Sequence, residues 1–210
     1  MASYKVKEIY YTLQGEGART GRPAVFLRFT GCNLWSGREE DRSDAVCQFC
    51  DTDFIGMDGM LGGKYDADSL AKKVNALWPL DQGQKYVVCT GGEPLLQLDD
   101  AIINALHKES FEIGIETNGT ITVPRGIDWV CVSPKANTEI VVRTGNELKL
   151  VVRQQGIDPT MFENWFFENF YLQPMDGLNV KEFTKWATEY CLEHPRWRLS
   201  IQTHKMLGIR

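Results

Sequence analysis

The residues with the most evident chemistry lie between positions 32 and 53. Cys32 is followed by fourteen residues and then Cys47, which is followed by two residues and then Cys50. Three thiolates on one loop can saturate three irons of a cubane and leave the fourth open to a chelating small molecule. An all-thiolate cluster also reaches the negative potentials needed to inject an electron into a sulfonium. The same cysteines could instead hold a structural zinc ion, for which Cys-x2-Cys is a common half-site. A closed zinc site needs a fourth ligand, and His107, His194 and His204 all lie far downstream, which leaves Asp51 or Asp53 as substitutes. Cys89, Cys131 and Cys191 fall within apolar patterns and read as inert core residues.

The elements that must position this loop are short runs rich in β-branched and aromatic residues. They occur at Val25 to Phe29, Tyr86 to Cys89, Ile113 to Glu116, Trp129 to Val132, Leu148 to Val152, Phe170 to Leu172 and Leu199 to Gln202. Helical stripes alternate with some of them: Leu70, Val74, Leu77 and Trp78, then Ile102, Ile103 and Leu106, then Val180, Phe183, Ala187 and Cys191. Asp66 or Asp68 suits the cap of the first, and Pro159 suits the first turn of a shorter helix from about 159 to 168. This alternation predicts an α/β fold with a parallel sheet and right-handed crossovers. No helical stripe appears in 118–128 or 134–146, so the expected architecture is an incomplete, parallel-stranded (β/α) barrel with fewer helices than strands. One domain over 1–210 is expected, with a nearly aperiodic cluster-binding loop at about 31–63.

A net charge of −5 with no extended Lys/Arg run offers phosphates no electrostatic track, which argues against nucleic acid as a partner. No apolar stretch approaches the roughly 18 residues of a membrane span, and the N-terminus lacks the apolar core of a signal peptide. A cytoplasmic protein away from membranes is expected, in a reducing compartment where clustered cysteines serve metal or catalysis rather than disulfides.

The stretch Phe26-Leu27-Arg28-Phe29-Thr30-Gly31-Cys32-Asn33-Leu34-Trp35, then Cys50-Asp51-Thr52 and Thr90-Gly91-Gly92-Glu93-Pro94, resembles radical S-adenosylmethionine enzymes. The usual spacing in that family is Cys-x3-Cys-x2-Cys. Here Ser36 stands where the second cysteine would fall, and a charged insert, Ser36 to Val46, postpones it to Cys47. That variant is similar to a subset of 7-carboxy-7-deazaguanine synthases. The likeness continues through Leu13-Gln14-Gly15-Glu16-Gly17, Ser133-Pro134-Lys135, Gln173-Pro174-Met175-Asp176 and Gln202-Thr203-His204-Lys205.

The resemblance implies one 4Fe-4S cluster on Cys32, Cys47 and Cys50, with S-adenosylmethionine at the open iron. It implies contacts to that cofactor from Gly91, Gly92 and Glu93, from Ser133, Pro134 and Lys135, and from Gln173, Pro174, Met175 and Asp176. It assigns Leu13, Gln14, Gly15, Glu16, Arg28, Thr90, Glu116 and His204 to a pterin substrate, and Thr52 to Mg²⁺. Implied partners are a reducing electron-donor protein and a second copy of the chain in a homodimer. The residues themselves also admit plainer roles. Gly91-Gly92 suits any strand-to-helix turn, Arg28 in an apolar strand needs some anion, and the Thr52 hydroxyl could simply cap a turn. A glycyl-radical activase, which shares the cluster chemistry, and a noncatalytic zinc module are the rival readings.

Overall fold

The computed structural model describes residues 3–79 and 83–210. Nine strands form one sheet. In chain order they are β1 (Tyr4–Leu13), β2 (Pro23–Phe29), β3 (Gly63–Tyr65), β4 (Tyr86–Gly91), β5 (Glu112–Thr117), β6 (Trp129–Val132), β7 (Thr144–Val152), β8 (Phe166–Pro174) and β9 (Trp197–Leu199). The helices are α1 (Ala67–Asn75), α2 (Asp100–Lys108), α3 (Val180–Glu193) and α4 (Thr203–Leu207), so helices are indeed fewer than strands among the described residues. The spatial order β3-β1-β2-β4-β5-β6-β7-β8-β9 runs in one direction from β4 onward. A doubly wound sheet would reverse; this one curls as a barrel does and stops short of closing.

Every pairing from β2 to β9 is parallel. The first edge departs from the expectation, because β1 pairs antiparallel with both β2 and β3. Two other expected elements also shift. The helix at 159–168 is only a 3-10 turn, Pro159–Phe162, with Asp158 accepting from the Thr160 amide. Beyond it the chain enters β8, where Phe167 and Phe170 seat in the core and outweigh helix propagation. The last strand lies at Trp197–Leu199 rather than 199–202, because beyond Ser200 the backbone turns away to bond Gly15.

Side-chain alternation along the strands separates two environments. Val25, Leu27 and Phe29 of β2 and Val87 and Cys89 of β4 face outward into a core shared with α1 and α2. Leu148, Leu150 and Val152 of β7 pack with Ala187 of α3 in a second core. The opposite faces carry a small apolar cluster of Ala24, Tyr86 and Val88 together with Arg28, Thr90, Glu147 and Lys149, so polar groups line much, not all, of the barrel interior. Asp66 caps α1 and Asp99 caps α2, each carboxylate accepting from first-turn amides.

The aperiodic loop is held by its own contacts. Trp35 and Phe54 meet edge to face at 5.6 Å. Lys7 of β1, nearly buried, donates to the Ile55 carbonyl at 2.8 Å and pairs with Asp53 and Asp58, each at 2.7 Å.

Candidate active site

A cavity of about 670 Å³ opens at the carboxyl rim of the sheet and runs down the barrel interior. Of the expected site residues, all but Glu93 and Pro134 line it. Thr90 and Gly91 end β4, Glu116 lies near the end of β5, Ser133 follows β6, and Gln173 and Pro174 end β8. Strand ends in parallel register thus deliver side chains from distant parts of the chain to one rim.

The three clustered cysteines carry free thiols, and all three face this cavity. Cys47 is only 5% exposed. Burial pushes the Cys32 and Cys47 thiols up, although Lys135 pulls Cys47 the other way. Such thiols ionise when a metal displaces the proton. Among the described residues, no three His, Cys, Asp or Glu side chains converge as ligands of a single ion would. The acidic substitutes for a fourth zinc ligand are engaged elsewhere, Asp51 with Lys205 at 2.6 Å and Asp53 with Lys7 at 2.7 Å. The three thiols share one cavity, an arrangement that suits the three protein ligands of a cubane with an open fourth iron.

Gly91 and Gly92 are required by close packing. Gly91 has a φ of 151°, and a Cβ there would strike the Phe29 carbonyl. A Cβ on Gly92 would collide with the Gly31 carbonyl and the Cys32 side chain. The turn therefore presses against the base of the cysteine loop. Gly92→Ala is expected to push Cys32 out of place, with a stability loss of about 1–3 kcal/mol and lower iron content after anaerobic reconstitution. Unchanged iron content would contradict this. Glu93, fully buried behind the turn, accepts from the Leu95 and Asn118 amides at 3.0 and 2.8 Å and from Thr117 Oγ1 at 2.8 Å. Its carboxylate ties strand ends together rather than facing the cavity. The Pro134 carbonyl accepts from Gln154 at 3.2 Å.

The open side of the barrel is sealed by residues rather than by a strand. Thr203 N and Oγ1 both donate to the Gly15 carbonyl at 3.0 Å, Gly17 N donates to Ser200 Oγ at 2.9 Å, and Gln202 donates to Glu16 at 2.9 Å. A Cβ on Gly15 would strike the His204 ring. The seam brings Leu13 to Glu16 and His204 into the cavity from opposite ends of the chain. At the barrel floor, Arg19 stacks on Trp129 at 4.1 Å and on Tyr86 at 4.6 Å and pairs with Glu112.

Lys149, whose side chain is 4% exposed, is the electrostatic centre of the interior. Its ammonium lies 2.8 Å from Glu16 and 2.9 Å from Glu116, and Gln14 donates to the other Glu116 oxygen at 3.2 Å. Although burial opposes ionisation, Lys149 and Gln202 hold Glu16 down at about 2. Glu147, on the same face of β7, has one oxygen without a hydrogen-bond partner among the described residues and is pushed up to about 6 by burial. Its folded form keeps a proton that the unfolded chain releases, so stability falls as pH rises from 4.5 through about 6. Glu147→Gln should therefore raise stability at pH 8 by up to about 2 kcal/mol and change little below pH 4.5, as read from thermal melts. Cys131, expected in the apolar core, instead sits beside Glu116 and Glu147, where burial and these carboxylates keep it a neutral thiol. Cys89 and Cys191 lie in or against the apolar cores as expected.

Arg28 donates to Glu8 at 3.0 Å and to the Tyr10 hydroxyl at 3.1 Å. Among the described residues, its second terminal nitrogen makes no such bond. Thr52 also lines the cavity, between Asp51 and Asp53. Lys149 was missed by sequence reasoning, although a lysine between Leu148 and Leu150 carries the same signal as Arg28, a charge inside a buried strand.

A cysteine triad at the carboxyl rim of a partial parallel barrel defines a radical S-adenosylmethionine enzyme, and the family model described as the Radical SAM superfamily matches residues 42–143. A protein of Bradyrhizobium diazoefficiens named 7-carboxy-7-deazaguanine synthase is 63% identical over 99% of this chain and 100% of its own length. One of the same name from Caulobacter vibrioides is 59% identical over 99% of each chain. The solved structure of QueE from Escherichia coli superposes with a TM-score of 0.71 at 26% identity, covering 95% of this chain and 94% of that one. The chain belongs to the 7-carboxy-7-deazaguanine synthase family.

Proposed function

We propose that this protein converts 6-carboxy-5,6,7,8-tetrahydropterin to 7-carboxy-7-deazaguanine by radical ring contraction with loss of ammonia, in deazapurine and queuosine biosynthesis. In this reading Cys32, Cys47 and Cys50 hold a 4Fe-4S cluster, and Gly91, Gly92, Ser133, Lys135 and the Gln173 to Asp176 turn hold S-adenosylmethionine beside it. Once bound, the two groups would supply one-electron radical chemistry to the substrate. Placement is left to the protein.

The observation that carries the substrate reading is the cavity's division into opposite polarities. Arg28, held by Glu8 and Tyr10, offers its remaining terminal nitrogen to a carboxylate, whereas Glu16 and Glu116, both paired with Lys149, offer acceptors to N–H groups. A carboxylated, N–H-rich bicycle such as the carboxytetrahydropterin presents both. Thr90 and His204 complete the walls. Thr52 would give a hydroxyl to Mg²⁺, which completes its coordination with water and substrate oxygens. A pocket suited to a compact anionic substrate also separates this reading from a glycyl-radical activase, which must admit a polypeptide.

In the same reading a protein donor reduces the cluster, and the enzyme works in the cytoplasm as a homodimer. No described helix is long and apolar enough to cross a membrane.

Calorimetry under anaerobic conditions tests the substrate reading. The carboxytetrahydropterin should bind at least about tenfold more tightly than tetrahydropterin lacking the carboxylate, and Arg28→Gln should erase most of that difference. Equal affinity of the two pterins for the unaltered protein would overturn it.

A further inference from the structure

The eleven residues from Ser36 to Val46 take no part in the site so far described. They form a closed excursion. The amides of Val46 and Cys47 both donate to the Leu34 carbonyl, at 3.1 and 3.3 Å, so the chain returns to within two residues of Cys32. Without the excursion, only Asn33, Leu34 and Trp35 would separate Cys32 from Cys47. Inside it, Ser36 donates to Asp41 at 2.6 Å and Trp35 Nε1 donates to the Arg38 carbonyl at 3.1 Å. A 3-10 helix at Glu39–Asp44 then aims Arg42 back at the cysteine loop.

Arg42 meets that loop at three points. Its Nη1 donates to the carbonyls of Gln48 and Cys50, at 2.8 and 3.1 Å, and its guanidinium carbon lies 4.1 Å over the Trp35 ring. Glu39 braces it by accepting from Nε at 2.7 and 2.8 Å. Gln48 adds a second strut to the Ser43 carbonyl at 2.7 Å. The Arg42 side chain is 28% exposed, whereas Glu39 is 77% exposed, so water screens the carboxylate more than the cation it braces.

We propose that Arg42 is a positioning residue for the iron–sulfur cluster. Its planar fork fixes the Cys47–Cys50 turn from outside and sets a permanent positive charge beside those two ligands. The inference rests on the cysteine assignment above. A cation at this point stabilises the more negative, reduced cluster, so its removal makes reduction harder. The fork matters separately from the charge, because an ammonium on a flexible stem does not hold two carbonyls and an aromatic face in one geometry.

Arg42→Met and Arg42→Lys separate these effects. Each protein is reconstituted anaerobically and compared with the unaltered protein by iron content, rate of iron loss in air, the electron paramagnetic resonance signal of the reduced cluster and its midpoint potential. A melt of each iron-free protein reports folding. Arg42→Met should lose iron several-fold faster and show a more negative potential. Arg42→Lys should keep the potential near that of the unaltered protein yet lose iron faster. Should Arg42→Met fold poorly, Arg42→Lys still tests the clamp through its iron-loss rate. Iron loss and potential unchanged in Arg42→Met would overturn the proposal, and equal potential shifts in the two variants would overturn its electrostatic half. Failure of the cysteine assignment would appear separately, as unaltered protein that binds no iron.

Discussion

Cys47→Ala is expected to abolish both iron binding and S-adenosylmethionine cleavage, whereas Ser36→Ala leaves both within about twofold. By the usual family spacing position 36 would be the ligand, so the two variants ask directly which residue holds the metal. Ser36 is exposed, its hydroxyl is donated to Asp41, and an alcohol is a poor iron ligand beside a thiolate. Cys47 is buried against the cavity, and its amide returns to Leu34. Loss of one of three cysteines leaves an iron without its protein ligand, so the expected fall is to background rather than partial. Iron analysis and deoxyadenosine production read the outcome, and the reverse pattern would move the ligand assignment to the insert.

Lys149→Met has the next largest expected effect, and it acts on stability and binding together. Removing a buried cation strands Glu16 and Glu116, which costs on the order of 3–5 kcal/mol at neutral pH. The pH dependence carries the diagnosis. In the unaltered protein Glu16 lies at about 2, below its ordinary 4.5, so its stabilising contribution is present above 4.5 and is lost as pH falls through about 2. Without Lys149 the Glu16 carboxyl must shift upward, and the variant should lose stability as pH rises above 4.5, where the unaltered Glu16 pair is at full strength. Melts at pH 5 and pH 8 distinguish the two profiles. Adding Glu116→Gln should restore part of the loss at pH 8, because one stranded charge is gone. Affinity for the carboxytetrahydropterin should fall in the single variant even at pH 5, where folding suffers least.

The apolar strand runs were legible because outward faces such as Val25, Leu27 and Phe29 fill a core. The partial barrel followed from the two helix-poor connections after β5 and β6. β1 escaped notice because Lys5, Lys7 and Glu8 interrupt its apolar residues and a register shift between Val6 and Glu8 breaks its alternation. β3, at Gly63–Tyr65, is too short to show a period. The cysteine triad stood out by its spacing, whereas the engagement of Asp51 and Asp53 with lysines, which disfavours them as a fourth zinc ligand, appears only in the structure. Arg28 was visible as a charge in an apolar strand, though its partners Glu8 and Tyr10 lie on the unforeseen β1. Pairings such as Lys149 with Glu16 depend on how the barrel curls, and no local pattern in the chain encodes them.

The substrate and the product can be tested in one incubation. Reconstituted protein is kept under anaerobic conditions with reductant, S-adenosylmethionine, Mg²⁺ and 6-carboxy-5,6,7,8-tetrahydropterin, and the products are identified by mass. The expected product is 7-carboxy-7-deazaguanine, absent when the pterin or the S-adenosylmethionine is withheld. Deoxyadenosine formed without any deazaguanine would contradict it, since the cluster chemistry would stand while the substrate assigned to this cavity would not.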